Sequence, residues 1–136
     1  RAQLVRETIL PALARGAAVL SDRFTDASFA YQGGGRGIES GTIATLERIA
    51  AGIKPDFTLL LDVGVDVGLA RARSRGGEPD RIELEKGEFF ERVRATYLAR
   101  AAAEPARFCL VDASQTPDAV VAEVRRCLGA WLDARA

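Results

Sequence analysis

Apolar positions along the chain switch between a helical and a strand rhythm. In "AQLVRETILPALARG", Leu4, Val5, Ile9 and Leu13 fall at helical spacing, and Gly16 is placed to cap the helix C-terminus. Pro11 is expected to bend this helix rather than end it. "AAVLSD" reads as a short buried strand. "ESGTIATLERIAAG" predicts a second helix, with Ser40 or Thr42 as its cap and Gly52 past its end. "KPDFTLLLDV" holds a near-continuous apolar run, Phe57 to Leu61, of the kind found in strands buried on both faces.

Downstream, Asp66 can cap a helix "VGLARARSR" that breaks at the turn-rich "GGEPD". "GEFFERVRATYLARAAAE" predicts a helix with Phe89, Val93, Tyr97 and Leu98 on one face. "RFCLVDA" is another buried strand, and "TPDAVVAEVRRCLGAWLDARA" a closing helix with Thr116 as cap and Pro117 in its first position. Apolar strands alternating with helices, each strand ending in Asp, predict an α/β fold with a mainly parallel sheet. In such sheets, sites form outside the carboxyl ends of the strands.

Composition narrows the chemistry. The 136 residues suit one domain, 48% of them are apolar, and 19 basic residues balance 19 acidic ones. The zero net charge argues against a dedicated nucleic-acid or anionic-membrane surface. No apolar run reaches the roughly 18 residues of a membrane helix. The chain has no histidine, which removes His-dependent hydrolysis and His-ligated zinc. Cys109 and Cys127, in a predicted strand and a predicted helix, are expected as reduced thiols rather than as a disulfide. Because the chain opens at Arg1 straight into helical periodicity, a fragment or processed chain is expected.

Two charged features remain. "DRFTDASFAYQGGGRG", Asp22 to Gly37, follows the first apolar run directly. Asp22 and Arg23 could be an ion pair closing a turn, or an Arg fork for phosphate with Asp holding a cation. "GGGRG" lacks the spacing of a phosphate loop and reads as a flexible turn. In "ARARSRGGEPDRIE", Arg71 and Arg75 share a helix face, Arg73 points elsewhere, and Arg81 lies past the Gly-Gly turn. These arginines could be a solvated face, or a mobile lid carrying cations over phosphates. Together and without histidine, the two clusters point to phosphoryl transfer, which needs positioning and positive charge more than a base.

"SDRFTDASFAYQGGGRGI", "KPDFTLLLDVGVDVGLARARSRG" and "DRIE" resemble the bacterial thymidylate kinases, with "RAQLVRETILPALARG" and "FFERVRATYL" fitting the same pattern. The resemblance implies a parallel-sheet P-loop three-layer sandwich of the nucleoside-monophosphate-kinase kind, and transfer of the γ-phosphoryl of ATP to dTMP with Mg²⁺. By this resemblance Arg23 clamps the acceptor phosphate and Asp22 lies beside it near the metal. Ser28 and Gln32 fall at the thymine region, Tyr31 lies against the deoxyribose, and Arg1 reaches the base. Arg71, Arg73 and Arg75 match a basic lid at about residues 71–85 that carries a catalytic arginine. Arg81 joins them, and Glu83 matches an acidic position near the acceptor or metal. A cytoplasmic homodimer is also implied, with "RAQLVRETILPALARG" as a candidate interface helix.

The sequence departs from the family pattern in having no Walker A motif. The expectation is therefore a single partial domain over 1–136, inactive by itself, with the central P-loop strand missing from the sheet. That strand would lie between those ending at Asp22 and Asp62, so unpaired edges, marginal stability and a role for a clipped N-terminal peptide are expected. The competing readings are another P-loop deoxynucleotide kinase and a non-catalytic nucleotide-binding or interaction module.

Overall fold

In the computed structural model, which describes residues 1–74 and 82–135, two parallel strands form the sheet. β1 (Thr58–Asp62) pairs with β2 (Phe108–Asp112) in a register that sets Thr58 beside Phe108 and Asp62 beside Asp112. The crossover between them contains α5 (Val65–Arg73) and α6 (Ile82–Ala103), the β-α-β connection expected of parallel strands. Val111 is fully buried, but Leu61 and Leu110 are about half exposed, so neither strand is buried on both faces as its apolar run predicts.

"AAVLSD" forms no strand. Residues 17–21 run without regular structure, and Leu20 is 97% exposed. A strand exists only where a neighbour takes up its backbone N–H and C=O groups. Among the described residues the sheet is β1 and β2 alone, and these residues have no ladder to join.

The N-terminal segment is helical throughout: α1 (Ala2–Leu4), a π-turn π1 (Val5–Ile9) and α2 (Leu10–Ala14). The Leu10 N–H reaches back five residues to the Val5 carbonyl. This wider turn directly precedes Pro11, whose ring would crowd the carbonyl four residues earlier in a regular helix. The helix ends at Gly16, whose φ of +76° is the left-handed conformation predicted there. Val5 and Ile9 pack with Ala51, Phe24 and Ile53, joining this helix to the end of α4 (Ser40–Ala50).

Two predicted caps are displaced. At α4 the cap is Glu39 rather than Ser40 or Thr42: its carboxylate accepts from the Gly41 and Thr42 N–H groups at 2.8 and 2.9 Å. These bonds hold the Glu39 carboxyl below its ordinary range. α5 starts at Val65, so Asp66 sits inside its first turn, where its charge suits the helix dipole, and makes no cap. α7 (Pro117–Asp133) begins as predicted, with Thr116 Oγ1 accepting from the Ala119 N–H.

"GGGRG" is not a free turn. Gly33, Gly34 and Gly35 belong to a second π-turn, π2 (Phe29–Gly35), which continues α3 (Thr25–Ser28) and lies along α6. A Cβ on Gly34 would collide with the Thr96 side chain and stand 2.8 Å from the Arg92 carbonyl. A Cβ on Gly35 would enter the Phe89 ring. The glycines are there for close helix approach, and Arg92 Nη2 closes the contact by donating to the Gly35 carbonyl at 3.2 Å.

The cysteines also differ from expectation. Packing of α7 on β2 brings the Cys109 and Cys127 Cα atoms to 6.3 Å, within disulfide range, and the two are bonded. The sequence separation of 18 makes this a closed loop whose crosslink contributes about 3 kcal/mol by restricting the unfolded chain.

Two outcomes are expected. Gly34→Ala should lower stability by about 1–3 kcal/mol in urea unfolding, as overpacking does; an unchanged midpoint would mean that π2 and α6 are not in close contact. Alkylation of the denatured, unreduced chain should label neither cysteine, and both should label after reductant. Two labelled thiols before reduction would restore the sequence-based expectation.

Candidate functional site

The stretch after the irregular segment is built around one unusual backbone. Arg23 has φ +59°, the one positive φ at a non-glycine among the described residues. A left-handed arginine costs about 1–2 kcal/mol and persists where its surroundings hold it. Ser21 Oγ donates to the Arg23 carbonyl at 3.0 Å, and the guanidinium lies 4.9 Å from the centre of the Tyr31 ring.

Arg1 approaches the same helix from the N-terminus. Its Nη1 donates to Ser28 Oγ in a short hydrogen bond, and its guanidinium lies over the Phe24 ring, 5.6 Å from the ring centre. Ser28, Tyr31 and Gln32 are spaced i, i+3 and i+4 and are all half-buried. Arg1, Arg23, Ser28 and Tyr31 thus converge on one face, with Gln32 on the same helical stripe. Asp22 is exposed, next to Arg23 in the chain.

Tyr97 borders this cluster, a residue the periodicity placed only on the apolar face of its helix. Burial pushes its phenol above the ordinary value and the nearby Tyr31 adds to this, while Arg23 and Arg1 pull the other way. Its polar tip on an otherwise apolar stripe is the sequence signal that could have marked it. Tyr31 also packs at 6.1 Å on Phe89, so α6 supplies a second wall.

Behind the cluster sits Asp26, 4% exposed. Arg100 Nε donates to Oδ1 at 2.7 Å; Arg107 donates through Nη1 to Oδ2 at 2.8 Å and through Nη2 to Oδ1 at 2.9 Å. Burial pushes the Asp26 carboxyl up, but the hydrogen bonds and charges of Arg107 and Arg100 win and hold it below its ordinary value. Arg107 is raised in turn, first by its bond to Asp26, against burial, and then by Glu104.

Of the predicted lid arginines, Arg71 and Arg73 are among the described residues, on α5. Arg71 donates from Nη1 to the Ala113 carbonyl at 2.6 Å and from Nη2 to the Ser114 carbonyl at 3.0 Å, tying α5 to the turn after β2. Arg73 is exposed on α5. Arg75, Arg81 and the Glu83 side chain lie outside the described residues. At the adjacent strand end, Asp62 accepts a two-point bond from Arg94, at 2.7 and 2.8 Å, a pairing the sequence did not reveal. Among the described residues no three acidic or cysteine side chains are grouped to hold a metal. An open apolar groove of about 700 Å³ between π2, α4 and α6 contains none of Arg1, Arg23 or Tyr31. The convergence of polar groups, not this groove, marks the site.

Comparison with known proteins places this geometry in a family. The family model described as thymidylate kinase matches residues 1–124. The thymidylate kinase of Pseudomonas syringae pv. syringae is 55% identical over 133 residues, covering 97% of this chain and 61% of that protein. That of Chromohalobacter salexigens is 54% identical over 125 residues, covering 91% of this chain and 59% of that protein. The crystal structure of thymidylate kinase from Ehrlichia chaffeensis superposes with a TM-score of 0.73 at 26% identity, over 93% of this chain and 60% of that one. The chain therefore spans about three-fifths of the length of these relatives. With a family match over most of its residues and relatives more than half identical along nearly all of it, the chain belongs to the thymidylate kinase family.

Proposed function

We propose that phosphoryl transfer from ATP to dTMP, giving dTDP and ADP, is the activity this chain serves, and that residues 1–37 supply the acceptor-nucleotide pocket; with no Walker A motif among its residues, the chain by itself is expected to bind dTMP without turnover. The observation that carries this reading is the convergence of Arg1, Arg23, Ser28 and Tyr31 on one face, beside Tyr97. In the proposal the Arg23 guanidinium takes the acceptor phosphate, as its fork suits a phosphate oxygen pair. Tyr31 stands against the sugar, where its bulk disfavours a ribose 2′-hydroxyl, and Ser28, Gln32 and Arg1 read the base.

Phosphoryl transfer depends on position and charge. Fixing the acceptor phosphate aligns its oxygen for in-line attack, and the stacked Arg23 and Arg1 add positive charge without reorganising. Arg71, Arg73, Arg75 and Arg81 are proposed to close over the transferring phosphoryl and exclude water, with Glu83 near the acceptor. For Arg71 this closure requires release of the Ala113 and Ser114 carbonyls. Mg²⁺ supplies charge neutralisation at the phosphates when bound. A single carboxylate shared with phosphate oxygens is a normal protein contribution to such a site, and the exposed Asp22 fits that part.

The proposal includes a cytoplasmic homodimer. Exposed Leu4, Leu10 and Leu13 on the N-terminal helix support a docking face, and no described helix is long and apolar enough to cross a membrane. In a reducing cytoplasm the Cys109–Cys127 bond would have to resist the glutathione pool, so the cysteine labelling above bears on location too.

Titration calorimetry of the chain with dTMP should show binding that weakens about tenfold or more in Arg23→Ala, the scale of a lost charge-assisted hydrogen bond. The ribose analogue should bind less tightly than dTMP, and Tyr31→Ala should narrow that gap. A chain that is folded yet silent to millimolar dTMP overturns the reading. Light scattering should give a dimer mass that Leu10→Glu with Leu13→Glu reduces to a monomer; a monomeric wild-type chain removes the dimer from the proposal.

A further inference from the structure

The helical segment from Thr25 to Gly35 has two working faces. Ser28, Tyr31 and Gln32 form the half-buried outer stripe, and Asp26, Phe29 and Ala30, again at i, i+3 and i+4, form the buried inner one. α3 and π2 are one continuous helical segment, so whatever fixes the inner stripe also fixes the direction of the outer one.

The inner stripe is held by directional bonds. Asp26 receives three hydrogen bonds from Arg100 and Arg107, and the Arg100 guanidinium lies 3.8 Å from the centre of the Phe29 ring. Arg107 carries the restraint to the sheet: Nη1 also donates to Thr58 Oγ1 at 3.0 Å, and its carbonyl accepts from the Thr58 N–H at 2.8 Å. Glu104 accepts from Arg107 Nε at 3.0 Å and Nη2 at 3.1 Å, so the guanidinium is forked between two carboxylates. Arg100 lies on α6, the helix whose Phe89 packs on Tyr31, so its bond to Asp26 also ties the segment to that wall.

A buried ion network is weak evidence for stability, because apolar residues of similar volume often serve as well. What apolar residues lack is direction. Resting on the acceptor-site reading above, we propose that Asp26 is a positioning residue: through Arg107 and Arg100 it locks the rotation of the α3–π2 segment against β1 and α6, and so aims Ser28, Tyr31 and Gln32 at the nucleotide. It touches no substrate itself.

The test separates aim from stability. Asp26→Asn removes one of the two carboxylates around Arg107 and the close charge partner of Arg100, and should weaken both dTMP binding and folding. The double variant Asp26→Leu, Arg107→Met replaces the pair by apolar volume and should recover stability while dTMP binding stays weaker by on the order of tenfold. In the folded double variant, backbone hydrogen exchange should rise at residues 28–35 and stay unchanged in α7. Arg107→Lys, which keeps the charge and loses the fork, is the milder form and should weaken binding to a smaller degree.

Wild-type dTMP affinity in a double variant of recovered stability, or in Arg107→Lys, overturns the proposal. So does unchanged exchange at 28–35, a readout that needs no nucleotide. Absence of dTMP binding by the wild-type chain instead overturns the acceptor-site reading on which the aim depends.

Discussion

A carboxylate only 4% exposed, held between two guanidinium groups, is the interaction from which the arrangement of this protein follows. Burying an ion is unfavourable by several kcal/mol unless its hydrogen-bonding capacity is met. At Asp26 both oxygens are met, and one of its partners is itself shared with Glu104 and Thr58. Each bond has a direction, so the α3–π2 segment, the α6–β2 corner and β1 cannot slide or rotate independently. Gly34 and Gly35 permit the same contact sterically, since a side chain at either position would push π2 away from α6.

That anchoring gives the candidate site its rigidity. The outer stripe of the segment faces Arg1 and Arg23, two cations that sit over aromatic rings rather than paired with carboxylates. A ring face under a guanidinium leaves its charge in place. The left-handed backbone at Arg23 belongs to the same economy of form: a strained residue maintained where the side chain must point one way. At the strand ends, by contrast, Asp62 and Arg94 satisfy each other, and Arg71 is engaged by the Ala113 and Ser114 carbonyls.

The sheet is less complete in its burial than its sequence. Leu61, Leu110 and Leu20 face outward among the described residues, and these residues belong to the apolar runs that read as fully buried strands. Membership of the thymidylate kinase family holds over a span of about three-fifths of the relatives' length.

Sequence by itself determined the features that depend on neighbours within a few residues. Helical periodicity located the N-terminal helix, α4, α6 and α7; Gly16 and Gly52 adopt positive φ where helix ends predicted them; Thr116 caps α7; and the runs ending at Asp62 and Asp112 are parallel strands. The grouping of Arg1, Arg23, Ser28 and Tyr31 was implied by the resemblance to the thymidylate kinases and by no local pattern, since Arg1 reaches Ser28 from 27 residues away. Tertiary structure decided what depends on a distant partner. Residues 17–21 have strand composition, but a strand needs a ladder beside it. The disulfide exists because α7 lands on β2, and the triple glycine is a packing surface because α6 lies against it. Nothing local in the sequence marks Asp26, since its partners stand 74 and 81 residues away in the chain and no local pattern records such a distance.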